Sequence, residues 1–306
     1  MAEGAHVASP GPPSQAHRLA QRGLLNDVVH GDCLEVLEGV PDDAVDLVLC
    51  DLPFGTTRNG WDSTIDLDAL WAHYARVVKP DGAIILHGQG AFTARLILSQ
   101  PAWFRFKLVW VKSKPTNFLN ARRQPLRAHE DLCVFYRQPP VYHPQMREGA
   151  PYSKGVRKDQ RTGSYGAFAP SLVASEDGAR YPTDVLYHKT AESEGPVWHP
   201  TQKPVGLARE LVRTWSRPGE VVLDNACGSA SLLVGAVAEG RNVLGIERDR
   251  TTQRFEAEPL DLIALARRRL READADRPAA SPDPVLGVGA LADDRPDPPP
   301  EASAGA

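Results

Sequence analysis

Val221-Val222-Leu223-Asp224-Asn225-Ala226-Cys227-Gly228-Ser229-Ala230-Ser231, with Asn242-Val243-Leu244-Gly245-Ile246-Glu247 shortly after it, is the stretch on which the fold turns. An apolar run ending in an acid reads as a buried strand, the small residues after it as a tight turn, and 230–239 as a helix. A second apolar run then ends in Glu247. Strand, turn, helix and strand in this order make one unit of a parallel α/β sheet, in which ligands bind off the carboxyl ends of the strands. Asp224, Asn225, Ala226, Cys227, Gly228 and Ser229 are therefore candidate ligand contacts, because a small-residue turn lets backbone approach a ligand closely. Glu247, 23 positions beyond Asp224, can accept hydrogen bonds from two ribose hydroxyls. The spacing GxGxxG is absent, which disfavours a pyrophosphate. S-adenosyl-L-methionine carries a ribose, an adenine and a charged amino acid without phosphate, and fits this end of the sheet.

The same alternation extends outward. Val45–Cys50 reads as a buried strand, 67–78 as a helix stopped by Lys79-Pro80-Asp81-Gly82, and 83–87 as a strand. A helix over 91–99 and strands over 106–111 and 132–136 follow, with a basic segment between the last two. The pattern fails from about 138 to 198 and returns as a helix over 204–215 with proline at its start and a basic-ended helix over 251–270. Long irregular stretches inside a compact domain are usually functional or disordered.

A second strand end carries chemistry: Asp51-Leu52-Pro53-Phe54-Gly55 directly follows Val45–Cys50. An aromatic amino nitrogen is a weak nucleophile because its lone pair is delocalised into the ring. A carboxylate accepting one N–H and a backbone carbonyl accepting the other pull the nitrogen toward tetrahedral geometry. Asp51 supplies the first acceptor and the Leu52 carbonyl the second. Pro53 stiffens the turn and removes a competing N–H donor. Phe54 can stack on an extruded base. The four residues alone also read as an ordinary turn after a strand; the ligand-binding features around Asp224 and Glu247 favour the chemical reading.

Net charge is −4, but its distribution matters more than its sum. Residues 271–306 hold eight acids and three bases in a Pro/Ala/Asp-rich run read as a disordered acidic tail, and 1–22 read as a second disordered tail. Residues 103–160 hold twelve Lys/Arg against four Asp/Glu, a surface suited to phosphates or simply to solvent. Lys112, Lys114, Arg122, Arg123 and Arg127 are the candidate DNA contacts within it. Cys33, Cys50, Cys133 and Cys227 lie far apart without CxxC spacing, which points to neither disulfides nor a zinc or other metal site. No run approaches a membrane span or a signal peptide, so a cytoplasmic protein is expected. His87, His129 and His199 read as hydrogen-bonded or exposed side chains rather than acid–base groups. Residues 55–61 are a candidate loop closing over the bound base, or a plain connection.

With both strand ends in hand, the chain over 26–270 resembles the N-4/N-6 amino DNA methyltransferases of the β group. Asp51-Leu52-Pro53-Phe54 is similar to that family's D-P-P-Y/F motif, and Asp224–Ser231 to its D-x-x-x-G-S-G-T. His199-Pro200-Thr201-Gln202-Lys203-Pro204 resembles the motif preceding its cofactor half, and Gly31-Asp32-Cys33 the segment at the adenine end. The stretches DLPFGTTRNGWD (51–62) and FLNARRQPLRAHEDLCVFY (118–136) resemble a phage-type branch, which implies a phage origin.

The resemblance implies an α/β fold: a Rossmann-like, mostly parallel sheet with helices on both faces, permuted so that the catalytic half precedes the cofactor half. It implies a methyltransferase domain over 23–270, divided into a catalytic half (23–111), a target-recognition insertion (about 112–182) and a cofactor half (about 183–270). It adds Asp32, Cys33 and Lys203 to the cofactor contacts, and implies double-stranded DNA as partner, with base flipping. N6 of adenine is favoured over N4 of cytosine because position 51 is Asp rather than Ser. Two departures, Leu52 for proline and Phe54 for tyrosine, leave the chemistry intact. The third, Ala230 in place of a glycine, threatens cofactor binding if that position needs φ > 0, and keeps open a relative that binds nucleic acid without transferring methyl groups. RNA or a protein amide as acceptor also stays open, although an amide-modifying enzyme would more often carry Asn at position 51. Recognition sequence, oligomeric state and role (restriction–modification, phage protection or orphan) are left open.

Overall fold

The computed structural model describes residues 15–55, 64–158, 160–162, 166–168, 170–249, 251–252 and 260–277. In chain order its first half contains α1 (Gln15–Gln21), β1 (Asp27–His30), α2 (Cys33–Glu38), β2 (Val45–Cys50), α3 (Leu67–Val77), β3 (Val78–Gly88), α4 (Ala91–Ser99), β4 (Phe104–Thr116) and β5 (Arg127–Phe135). The second half contains β6 (Tyr152–Arg157), β7 (Gln160–Thr162), β8 (Gly166–Phe168), β9 (Ser171–Ser175), β10 (Val185–His188), α5 (Val205–Trp215), β11 (Val221–Asp224), α6 (Ser231–Ala238), β12 (Asn242–Glu247) and α7 (Leu262–Ala275).

Eight strands form one sheet in the order β1-β12-β11-β2-β3-β5-β4-β10. Only β5 runs against its neighbours β3 and β4; the other pairs are parallel. All six residues of β2 are buried, as a central strand covered on both faces requires. The one acid in that run, Asp46, is used structurally: Oδ2 accepts from Val221 N at 2.8 Å and Oδ1 pairs with Lys79. This fastens β2 to the start of β11. Helices α2, α3 and α4 pack one face of the sheet through Leu37, Leu70, Tyr74 and Leu96, and α5, α6 and α7 pack the other through Leu211, Leu233 and Ala266. The expected α/β sheet, mostly parallel and covered on both faces, is the observed one.

The structure corrects several boundaries. The stretch expected as an N-terminal tail contains α1, whose Leu19 is fully buried in the first core. A single buried residue in seven gives too little periodicity to show in sequence. The strands expected at 106–111 and 132–136 are longer and form one hairpin, paired from Phe104↔Phe135 to Thr116↔Arg127. Within 138–198, β6 pairs with β9 and β7 with β8 as small antiparallel ribbons, while β10 adds the edge strand beside β4. β6 is exposed along nearly its whole length, so no alternation marks it. The helix expected over 251–270 starts only at Leu262, where Asp261 caps it by accepting from Ala264 N at 2.9 Å, and it runs on to Ala275. Most of the candidate closing loop (55–61) and of the acidic tail lies outside the described residues. Among the described residues no helix is long and apolar enough to cross a membrane.

Candidate active site

β11 lies beside β2 with Val222 opposite Leu47 and Leu223 opposite Val48. Asp51 and Asp224, which follow or end these strands, are thereby brought to one edge of the sheet. A cavity of about 390 Å³ opens there. Asp32, Cys33, Asp224–Ser229 and Glu247 line one end of it, and Asp51–Phe54, Lys112, Glu130 and Lys203 the other.

At the first end, Asp32 caps α2 by accepting from Leu34 N at 2.9 Å. Glu247 Oε2 accepts from Gly228 N at 2.7 Å and Oε1 from Asp249 N at 2.9 Å, which holds its carboxylate at the turn. Burial pushes the Glu247 carboxyl up. Asp224 is fully enclosed: burial lifts its carboxyl to about 7, Cys50 and Ala226 N–H pull it down, and the charges of Asp51 and Glu247 push it up again. Asn225 Oδ1 accepts from the buried Tyr74 hydroxyl at 2.5 Å, whereas its Nδ2 is buried without a hydrogen-bond partner among the described residues. Gly228 has φ +54°, a backbone conformation that glycine adopts without strain, while a Cβ there would meet the His199 ring at 3.7 Å, ordinary van der Waals contact.

Ala230 does adopt the left-handed conformation, φ +59°. Its methyl group, however, is fully buried in the core between the sheet and α5–α7 and is not part of the cavity wall. The observation that favoured a non-catalytic relative thus concerns core packing and not the ligand surface.

The second end is organised by ion pairs that the sequence reading missed. Lys203 Nζ lies 2.7 Å from Asp51 Oδ2 and 3.1 Å from Glu130 Oε2, and Lys112 Nζ lies 2.5 Å from Glu130 Oε1. His87 Nδ1 stands 3.5 Å from Glu130 Oε2. All of these except Asp51 are buried. Burial pushes the Lys203 ammonium down, yet the charges of Asp51 and Glu130 outweigh it and raise it above the usual lysine value. Burial pushes Glu130 up, but Lys203, His87 and Lys112 together hold it well below the carboxylate range. With Oδ2 on Lys203, Asp51 Oδ1 is left buried and without a hydrogen-bond partner among the described residues. Phe54 packs one face on Phe92, centroids 4.6 Å apart, and lines the cavity.

Lys203, expected among the cofactor contacts, does line the cavity, where it is ion-paired to Asp51 and Glu130. Lys112, expected to reach DNA, is buried on Glu130, because β5 runs antiparallel and sets its first residues beside the carboxyl end of β4. Lys114, Arg122, Arg123 and Arg127 are exposed on the β4–β5 hairpin. Glu130 was legible only as an acid opening an otherwise apolar strand. Gln202 was also missed; its Oε1 accepts from Ser229 Oγ at 3.1 Å and from Trp198 N at 3.0 Å, tying the segment around Lys203 to the turn after β11.

Over residues 45–257 the chain matches the N6/N4 family described as DNA methylase. It is 25% identical over 278 residues to the type II methyltransferase M.HinfI of Haemophilus influenzae, covering 81% of this chain and 69% of that one. The solved M1.HpyAVI–SAM complex is similar with a TM-score of 0.54 at 18% identity, covering 80% of this chain and 98% of that one. The PvuII DNA methyltransferase (cytosine-N4-specific) is similar with a TM-score of 0.50 at 15% identity, covering 80% and 92%. These structural likenesses speak to the fold, and the sequence match speaks to the family. The chain belongs to the N6/N4 DNA methylase family.

Proposed function

We infer that the protein is an S-adenosylmethionine-dependent DNA methyltransferase acting on an exocyclic amino nitrogen, N6 of adenine in preference to N4 of cytosine. The observation that carries this reading is Asp51, which lines the cavity: one oxygen is held by Lys203, and the other is buried and without a hydrogen-bond partner among the described residues. A desolvated acceptor of this kind calls for a donor from the substrate. An amino N–H supplies one, and the Leu52 carbonyl is available to the second N–H. Phe54, backed by Phe92, offers a ring face to a flipped base.

The residues present fit the cofactor. Asp32, Glu247 and Asp249, the last paired with Arg248, leave that end of the cavity net acidic, which suits a ligand bearing a sulfonium and an ammonium and opposes one bearing phosphates. Glu247 would take the ribose, Asp32 and Cys33 the adenine end, and the unpartnered Asn225 amide a carboxylate. When bound, the cofactor supplies an electrophilic methyl group. Asp51 orients the nitrogen, stabilises the positive charge developing on it and is placed to take the proton it sheds. Lys203 acts as a positioning residue that fixes which Asp51 oxygen faces the substrate. The exposed Lys114, Arg122, Arg123 and Arg127 would contact phosphates, and the region 112–182 would select the sequence. A DNA substrate and buried free thiols are expected of a cytoplasmic enzyme.

Asp51→Ala should abolish transfer of tritiated methyl groups to DNA while calorimetric binding of S-adenosylmethionine is retained; full residual transfer would overturn the assignment. Nucleoside analysis of the methylated DNA should give N6-methyladenine, and N4-methylcytosine would reverse the base preference.

A further inference from the structure

We propose that the tip of the β4–β5 hairpin is a wedge that enters the base stack of duplex DNA beside the target nucleotide, with Phe118 and Leu119 as the inserted side chains. This rests on the reading of the cavity as the pocket for a flipped base.

β4 and β5 pair as far as Thr116↔Arg127, leaving 117–126 as the tip. Phe118 is 75% exposed and Leu119 86% exposed. Two adjacent large apolar side chains in water contribute little to the stability of their own chain. The tip is nevertheless an ordered turn. Asn117 is in the left-handed conformation with φ +70°, Asn120 Nδ2 donates to Asn117 Oδ1 at 2.7 Å, and Arg123 N donates to Asn120 O at 2.8 Å. Residues Phe118–Asn120 make one 3-10 turn inside that frame. The apolar pair is therefore presented on a shaped support.

What surrounds the pair identifies the occupant. Lys114, Arg122 and Arg123 are exposed on the same hairpin, and none has an ion-pair partner among the described residues. The root of the hairpin is part of the cavity wall, through Lys112, Thr116, Arg127 and Glu130. A ligand that meets the tip is thus continuous with whatever enters the cavity. A polyanion with an apolar, stacked interior matches cations flanking two apolar side chains, and insertion between base steps unstacks the duplex at the point where a nucleotide must leave it. An anionic membrane offers the same combination of charge and apolar interior, but the cavity beside the tip is built around Asp51 and Glu130, which suits an amino group and not an acyl chain.

The test first maps the methylated site with the wild-type enzyme by modification-sensitive sequencing. Two short duplexes carrying that site are then compared, one with the target base paired and one with it opposite an abasic position. The Phe118→Ala/Leu119→Ala double variant should lose about 10- to 100-fold in kcat/KM on the paired duplex. It should return to within about threefold of wild type on the abasic duplex, where the stack is already broken. Phe118→Leu, which keeps an apolar group, should fall between wild type and the double variant on the paired duplex. Calorimetric cofactor binding and melting temperature should match wild type. Equal losses on both duplexes, no loss on the paired duplex, or a loss of binding to phosphatidylserine vesicles with DNA methylation unchanged would each overturn the wedge. A wild-type enzyme that methylates no DNA at all would instead refute the proposed function.

Discussion

Lys203→Met removes one positive charge from a buried cluster while nearly conserving volume, so its effects isolate what that ammonium does. Lys203 Nζ is 2.7 Å from Asp51 Oδ2 and 3.1 Å from Glu130 Oε2, and the residue is 8% exposed. At an effective dielectric near 20 each such contact is worth roughly 4 kcal/mol, against which stands the cost of desolvating the ammonium. Deleting the cation while Glu130 stays buried is expected to cost about 3–5 kcal/mol near pH 8. The sign with pH follows from Glu130, whose folded value is held down by Lys203, His87 and Lys112 against burial. Its stabilisation is complete above the unfolded carboxylate value, about 4.3, and is lost as pH falls through the lower folded value. The deficit of the variant should therefore be largest at neutral pH and shrink in acid, as read by urea unfolding at pH 4 and pH 8. In catalysis, Asp51 loses the cation that holds its Oδ2 and, with it, the fixed orientation of its other oxygen. The expected loss in kcat is about 10²- to 10³-fold. Calorimetric affinity for S-adenosylmethionine should change less than about twofold, since uniform binding is untouched. An unchanged kcat with affinity weakened tenfold would make Lys203 a cofactor ligand and refute this account.

Glu247→Ala should weaken cofactor binding by roughly 10- to 100-fold through loss of a charged acceptor, with Kd measured by calorimetry; unaltered binding would remove Glu247 from the site. Asp224, its carboxyl pushed up to about 7 by burial, keeps a proton that the unfolded chain releases near pH 4. Stability of the cofactor-free protein should thus fall by up to about 4 kcal/mol between pH 4 and 7, and Asp224→Asn should flatten that slope in urea unfolding. Parallel profiles for the two proteins would count against the buried carboxyl. Ala230→Gly relieves about 1–2 kcal/mol of left-handed strain but gives up a buried methyl worth about 0.8 kcal/mol and frees the unfolded chain. The net change in stability should be within about 1 kcal/mol and cofactor affinity unchanged; a rise in affinity beyond about fivefold would mean that the turn is strained against its ligand.

Much of the fold was legible locally. Val45–Cys50, Val221–Asp224 and Asn242–Glu247 appear as strands at the positions expected, because strands buried on both faces read as continuous apolar runs. α1 and β6 were not legible, since one carries a single buried residue and the other almost none. In the site, Asp51 and Glu247 could be singled out because each follows or ends an apolar run. Glu130 could not, because its place beside Lys203 depends on β5 running antiparallel.

The sequence by itself determined the strands buried on both faces and which acids stand at their ends, since burial period and turn chemistry are properties of neighbouring residues. Only the tertiary structure decided that Lys203 bridges Asp51 and Glu130 through one oxygen of each and leaves the other Asp51 oxygen buried without a partner among the described residues, that Lys112 is buried, and that Phe118 and Leu119 stand in water. Those outcomes depend on contacts between residues far apart in the chain. A charged or apolar side chain looks the same in sequence whether its partner is water, an ion pair or another molecule.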